Sequence, residues 1–208
     1  MKHIPNILTI LRLILSLAMF AAFVTVAYSG LPTMAAGLVR FGVAAFIVAA
    51  VTDFFDGWLA RRWKVESVAG AILDPIADKI LVCGGILVLI GAGLPLAIVP
   101  GGIILFREFA VSALREVLAP RGIKLPVTFL AKTKTTLQLI AITALMIVWY
   151  WPAWHIDARI DHLKLALEIS ELLFGVAAFV TLWTGLEYGR SAWLALKAPV
   201  IAPPAPKP

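Results

Sequence analysis

Apolar residues fall into six long runs along the chain, separated by short polar or proline-containing breaks. Each run is close to the roughly 20 residues that an α-helix needs to cross the hydrocarbon core of a bilayer. The six runs are Ile7–Tyr28, Ala35–Ala60, Ala69–Gly91, Leu96–Leu118, Ala131–Trp151 and Leu163–Leu186. This pattern predicts an all-α integral membrane protein with six transmembrane helices.

The composition supports a membrane protein and leaves little room for anything else. The chain has 208 residues, of which 62% are hydrophobic and 14% charged, and its mean hydropathy is +0.97. A soluble domain is nearer half apolar and a quarter charged. We expect a single six-helix transmembrane domain over residues 1–190, followed by a cytoplasmic, partly disordered, proline-rich tail over residues 191–208. The lone cysteine, Cys83, excludes an internal disulfide.

The positive charges indicate the orientation of the chain in the membrane. The net charge is +6, and only Arg40, Arg159 and Lys164 fall on one of the two predicted sides. Because cytoplasmic loops carry an excess of lysine and arginine, we expect both termini in the cytoplasm and a multi-pass location in the inner (cytoplasmic) membrane. No basic cluster has interleaved aromatic residues, so the charge indicates anionic headgroups rather than nucleic acid.

Four aspartates interrupt the apolar pattern where the second run ends and the third begins. On each helix the acids share a face with small residues. These faces comprise Asp53, Asp56, Gly57 and Ala60 on the second helix and Gly70, Asp74 and Asp78 on the third. A short turn makes the two helices antiparallel neighbours, so the carboxylates face one another and need counter-charge. Carboxylate oxygens suit Mg²⁺ or Mn²⁺, and two such ions can clamp a phosphoryl group.

The same stretch carries a family resemblance. The sequence DFFDGWLARRWKVESVAGAILDPIAD, from Asp53 to Asp78, matches the pattern D-x2-D-G-x2-A-R-x8-G-x3-D-x3-D without a gap. The chain therefore resembles the CDP-alcohol phosphatidyltransferase family. The resemblance implies that the four aspartates hold two divalent cations on the diphosphate of a CDP-linked lipid, that Asp78 also deprotonates the acceptor alcohol, and that the protein is a homodimer. It also implies a cytidine and diphosphate site lined by Gly57, Ala60, Arg61 and Gly70.

The amino-terminal stretch IPNILTILR, Ile4–Arg12, opens the first run. Asn6 and Thr9 are candidates for capping the first helix, and Arg12 is a candidate for extending to the headgroups. The stretch also resembles the opening of the glycerophosphate-using branch of the family. That resemblance implies that Asn6 and Thr9 contact the CDP-lipid and that Arg12 lies near the nucleotide and the acceptor.

A basic cluster in the fourth and fifth runs bears on the acceptor alcohol. It comprises Arg107, Arg115, Lys132 and Lys134, with Glu108 as a possible partner of Arg107. These cations lie at the predicted level of the aspartates. A neutral alcohol would not need so many cations, whereas a phosphorylated alcohol would. The stretch resembles the glycerophosphate-using branch, so we expect transfer of a phosphatidyl group from CDP-diacylglycerol to sn-glycerol 3-phosphate.

Two alternatives stay open at this point. The first keeps the family and changes the acceptor to an inositol phosphate, serine, or phosphatidylglycerol, the last giving cardiolipin. The second is a cation or proton transporter that uses the four acids. The acids lie toward one end of their helices, with no broken helix at the predicted midplane, which disfavours the transporter.

Overall fold

The computed structural model describes residues 4–29, 32–63, 68–121 and 129–197. Side chains are described throughout these ranges except at 4–5, 29, 32–34, 54–63, 68–69, 71–72, 121 and 129–132. Within this part of the chain the structure is helical, with six α-helices. They are α1 Ile4–Ser29, α2 Pro32–Trp63, α3 Val68–Gly91, α4 Ile98–Leu118, α5 Phe129–Trp149 and α6 Ile160–Lys197.

Each predicted run corresponds to one observed helix, and the differences lie at the ends. The largest concerns α6, which continues to Lys197, well past the predicted end at Leu186. The apolar run stops because polar residues such as Glu187 and Arg190 follow it, but such residues do not break a helix. The first residues of the predicted tail are therefore the end of α6.

The helices form two groups of three. α1 packs along both α2 and α3, and α6 packs along both α4 and α5. Successive helices run in opposite directions, so one end of the bundle collects the start of α1, α3 and α5 and the end of α2, α4 and α6. At the other end, the Trp149 indole donates a hydrogen bond to the carbonyl of Ala92, at 3.2 Å, and ties α5 to the turn after α3.

A close approach joins the two groups at the middle of the bundle. A Cβ atom built on Gly85 of α3 would lie 2.8 Å from the Phe46 ring and 2.9 Å from the Ile142 side chain. Phe46 belongs to α2 and Ile142 to α5, and both are fully buried. Small residues allow membrane helices to pack closely, so Gly85 lets α2 and α5 meet on the surface of α3.

The outer surface of the bundle is apolar. Large hydrophobic side chains such as Phe106, Leu172 and Trp193 are exposed, as expected of residues that face lipid rather than water. Four of the described helices, α1, α2, α4 and α6, contain segments long and apolar enough to cross a membrane. The apolar segment of α5 is shorter, Thr133–Trp149, and α3 carries Asp74, Asp78 and Lys79 in its first half.

Candidate active site

Three of the four predicted metal-ligating aspartates have described side chains, and a buried arginine organises two of them. Arg12 on α1 has 0% exposure. Its Nη1 lies 2.8 Å from Oδ1 of Asp53 on α2 and also donates to Oδ1 of Asp78 on α3. Carboxylates from two helices therefore converge on one nitrogen atom of one guanidinium. The interpretation that Arg12 extends to the headgroups is wrong, because its side chain is enclosed between helices.

The polar face of α1 also reaches the third aspartate. The Thr9 hydroxyl donates a hydrogen bond to Oδ1 of Asp74 at 2.5 Å. Residues three apart in a helix share a face, so Thr9 and Arg12 present adjacent donors to α3. The prediction that Asn6 and Thr9 cap the helix is wrong, since α1 begins at Ile4 and both residues lie inside it.

The donor chemistry of this region fits a hard divalent cation. Asp53, Asp74 and Asp78 offer carboxylate oxygens, which Mg²⁺ and Mn²⁺ prefer. The Asp53 and Asp78 side chains stay partly open, with 29% and 41% of their surface exposed. Among the described residues, however, no three acidic, histidine or cysteine side chains are placed to hold one ion together.

Several predicted site residues lie in the part of the chain whose side chains are not described. They are Asp56, Gly57, Ala60, Arg61 and Lys132. Gly70 is described and is buried in the first turn of α3, one turn before Asp74.

A cavity of about 330 Å³ opens beside the acids, between α3, α4 and α5. Asp74 and Asp78 line its α3 side. Arg107, Arg115 and Lys134, three of the four residues predicted to bind the acceptor phosphate, line the opposite side. The structure thus brings these three cations together across the cavity from the two acids.

The basic side of the cavity is partly neutralised by one carboxylate. Glu108 lies on the same wall, and its Oε1 accepts a hydrogen bond from Lys134 and lies 3.5 Å from Nη1 of Arg107. The expected pairing of Arg107 with Glu108 is confirmed. Three cations and one anion give the α4 and α5 side a formal charge of +2, which suits a doubly charged anion, and Lys79 lines the α3 side beside the two acids.

Residues of α6 hold the basic side chains, and the sequence analysis missed them. The Tyr188 hydroxyl accepts a hydrogen bond from Nη2 of Arg115 at 2.9 Å, and its ring lies 5.7 Å below the guanidinium carbon of Arg107. Thr184 Oγ1 lies 3.4 Å from Nη2 of Arg107. The signal was present, because Thr181, Thr184 and Tyr188 form a polar face at helical spacing in an apolar run.

A second, apolar groove of about 640 Å³ runs between α2 and α5. Asp53 lines it together with aliphatic residues such as Val51, Leu139 and Ile147. Asp53, Asp74 and Asp78 form what we call the acidic centre. The groove therefore joins this acidic centre to a surface that suits a hydrocarbon chain.

The described residues thus form a helical bundle with an apolar exterior, which is typical of an integral membrane protein, and the bundle holds acidic and basic side chains around one cavity. Residues 2–187 match the CDP-alcohol phosphatidyltransferase family. The chain therefore belongs to the CDP-alcohol phosphatidyltransferase family.

Relatives of the chain carry one enzyme name, CDP-diacylglycerol–glycerol-3-phosphate 3-phosphatidyltransferase. The protein of that name from Cereibacter sphaeroides is 48% identical over 146 residues, which are 69% of this chain and 63% of that protein. The one from Rickettsia bellii is 37% identical over 191 residues, or 91% of this chain and 95% of that protein. The one from Salmonella paratyphi A is 37% identical over 193 residues, or 91% and 94%.

The ion contacts of Arg12 lead to a prediction about stability. Changing Arg12→Gln should leave Asp53 and Asp78 without their shared counter-charge and lower the stability by about 1–3 kcal/mol. Thermal unfolding in detergent measures this, with Arg40→Gln as the matched control because Arg40 is exposed on α2. Adding Asp53→Asn to Arg12→Gln should restore part of the loss. An unchanged unfolding temperature in Arg12→Gln would contradict the contact.

Proposed function

We propose that this protein transfers the phosphatidyl group of CDP-diacylglycerol to sn-glycerol 3-phosphate, which releases CMP and forms phosphatidylglycerophosphate. The observation that carries the proposal is the cavity with Asp78 on one side and Arg107, Arg115 and Lys134 on the other. Such a cavity offers a base to a hydroxyl and cations to a phosphate on the same small molecule. The enzyme name that these relatives share supports the same reaction.

Asp78 is the proposed catalytic base. Its carboxylate lines the cavity and takes the proton of the acceptor's primary hydroxyl. The oxygen then bonds to the lipid-side phosphorus of the diphosphate, and the bond from that phosphorus to CMP breaks, with the electron pair leaving on CMP. Arg12, which donates to Asp78 Oδ1, orients the carboxylate for this transfer.

The proposed cofactor is a pair of divalent cations, Mg²⁺ or Mn²⁺. They would be held by four carboxylates, those of Asp53, Asp56, Asp74 and Asp78. When bound, they would neutralise the diphosphate of the donor and the charge that develops on CMP. Thr9 and Arg12 already fix the orientation of three of these carboxylates.

The donor lipid is proposed to bind across the acidic centre. Its cytidine and diphosphate would contact Asn6, Thr9, Gly57, Ala60, Arg61 and Gly70. The position of Thr9 beside Asp74 supports this placement. The apolar groove that starts at Asp53 would hold an acyl chain, since a buried CH₂ group contributes about 0.8 kcal/mol.

The acceptor phosphate is proposed to bind the basic wall. Arg107, Arg115 and Lys134 line the cavity, and Lys132 of the same cluster would complete the set. The formal +2 charge of the described wall matches a phosphate dianion. A neutral alcohol would supply no counter-charge to these cations, which Glu108 balances only in part.

The proposed arrangement in the membrane has six spanning helices with both termini in the cytoplasm. The active site would then lie at the cytoplasmic surface of the inner membrane. The charged groups of both proposed substrates would reach it there. The positions of the acids and bases at one end of the bundle support a site near one membrane surface. A homodimer is also proposed, on the family resemblance alone.

The decisive assay uses the purified protein with CDP-diacylglycerol, Mg²⁺ or Mn²⁺ and one acceptor at a time. We expect CMP release with sn-glycerol 3-phosphate and much less with serine, an inositol phosphate or phosphatidylglycerol. Faster release with a neutral acceptor would overturn the role of the basic wall. If none of the acceptors gives CMP release, and the protein carries metal ions or protons into liposomes that contain no CDP-lipid, the transporter is favoured.

The proposed base gives a second test. Asp78→Asn should lower kcat by about 10²–10⁴-fold, because the amide cannot accept the hydroxyl proton. Asp157→Asn is the matched control, since Asp157 is exposed in the segment before α6. The unfolding temperature of both variants should be compared with that of the unchanged protein. Near-normal turnover in a folded Asp78→Asn protein would remove Asp78 as the base.

The proposed phosphate site gives a third test. Lys134→Ala should raise the KM for sn-glycerol 3-phosphate about 10–100-fold, because a buried charged hydrogen bond to the phosphate is lost. The KM for CDP-diacylglycerol should change less than about twofold, since that lipid contacts the acids and not this wall. Lys164→Ala, at an exposed position on α6, is the control. Equal changes in both KM values would argue against an acceptor-phosphate role for Lys134.

A further inference from the structure

Gln138 is a buried polar residue of the cavity that the mechanism so far does not use. It lies on α5, one turn from Lys134, has 1% exposure and lines the cavity beside Asp78 and Arg107. Its Nε2 donates a hydrogen bond to Oγ1 of Thr181 on α6 at 2.7 Å. An amide this deep in an apolar bundle is costly unless both of its ends are paired.

The contact with Thr181 sets the direction of the amide. The Thr181 hydroxyl has a single hydrogen, and it donates that hydrogen to the carbonyl of Ala177 at 2.6 Å. Its oxygen can therefore only accept from Gln138, which requires the NH₂ group of the amide at that point. The carbonyl oxygen of Gln138 must take the other position.

That carbonyl oxygen accepts no hydrogen bond within the described part of the chain. Buried polar atoms are paired in most proteins, and an unpaired one calls for a ligand or water. Gln138 also belongs to the cavity wall, so a ligand in the cavity is the candidate source of this missing donor.

One hydroxyl group of the proposed acceptor alcohol has no hydrogen-bond partner in the mechanism so far. In sn-glycerol 3-phosphate the phosphate goes to the basic wall, and the primary hydroxyl gives its proton to Asp78. The secondary hydroxyl, on the carbon between them, still needs an acceptor. Gln138 lies one turn from Lys134 on α5 and lines the same cavity as Asp78, so it is the candidate for this third contact.

We propose that Gln138 Oε1 accepts a hydrogen bond from the secondary hydroxyl of the acceptor and thereby selects a phosphorylated polyol over a simple hydroxyalkyl phosphate. Thr181 acts as a positioning residue that keeps the amide in this direction. A neutral amide suits the task, because a carboxylate at this position would repel the acceptor phosphate. The inference rests on the proposed function and adds a determinant of specificity to it.

The discrimination follows from a hydrogen bond that only one acceptor can make. The secondary hydroxyl of sn-glycerol 3-phosphate supplies the missing partner of Gln138 Oε1 and gains that hydrogen bond, whereas an acceptor without this hydroxyl leaves the oxygen as it is in the free protein. The suitable probe is 3-hydroxypropyl phosphate, which keeps the phosphate and the primary hydroxyl of sn-glycerol 3-phosphate and lacks only the secondary one. Both compounds are compared by kcat/KM for CMP release.

The unchanged protein should prefer sn-glycerol 3-phosphate over 3-hydroxypropyl phosphate about 10–100-fold. In Gln138→Leu the preference should fall below about threefold, chiefly through loss of activity with sn-glycerol 3-phosphate. Two threonines on one helix give a matched pair, because Thr181 holds Gln138 and Thr184 holds Arg107. Thr181→Val should reduce the preference, whereas Thr184→Val should slow both acceptors equally and leave the preference intact.

The outcomes separate this inference from the proposed function. If the unchanged protein releases no CMP with sn-glycerol 3-phosphate, the proposed function itself fails. If the unchanged protein does release CMP but prefers sn-glycerol 3-phosphate by less than about threefold, the role of Gln138 is overturned. The same holds if Gln138→Leu keeps the full preference. Equal effects of Thr181→Val and Thr184→Val on the preference would overturn the positioning role. If Gln138→Leu does not fold, the unchanged protein and the threonine pair still decide the question.

Discussion

The site depends on one buried guanidinium. Arg12 of α1 contacts Asp53 of α2 and Asp78 of α3, so three helices meet at one positive centre. In apolar surroundings a charge that loses its partner is strongly destabilising, and this applies most to Arg12, which is fully buried, whereas the two carboxylates stay partly exposed. The contact therefore fixes the packing of α1 against its two neighbours and, at the same time, the separation of the carboxylates. Stability and the geometry of the acidic centre have the same origin here.

The opposite charges across the cavity address a problem posed by the proposed reaction, in which two anions must approach each other. The α3 side carries Asp74 and Asp78 beside a single lysine, Lys79, so it would attract a diphosphate chiefly through bound cations, whereas the basic wall would attract a phosphate directly through Arg107, Arg115 and Lys134. The diphosphate of the donor and the phosphate of the acceptor would thus bind at different sides of the cavity. Because α3 belongs to one group of helices and α4 to the other, the cavity at their junction keeps the two places apart while allowing a hydroxyl and a phosphorus atom to meet between them.

The sequence predicted the six helices and the meeting of acids from α2 and α3, because long apolar runs and fixed helical spacings are local signals. The convergence of Arg107, Arg115 and Lys134 was also predicted, since their level follows from the direction of each helix. Contacts between distant helices could not be predicted in this way. Spacing along α1 shows that Thr9 and Arg12 share a face, but it does not show that this face meets α3. The length of α6 was underestimated, because an apolar run measures contact with lipid and not the extent of a helix.

The helix that carries no family motif, α6, has the clearest unforeseen role. Its polar residues Thr181, Thr184 and Tyr188 each contact a side chain of the cavity, namely Gln138, Arg107 and Arg115. Long basic side chains lose much rotamer freedom when they bind a ligand, and contacts that restrict them beforehand reduce that cost. α6 therefore shapes the basic wall without supplying a charge to it. A change of acceptor would then require changes on α6 as well as on α4 and α5, because the side chains proposed to bind the acceptor are oriented by residues of α6.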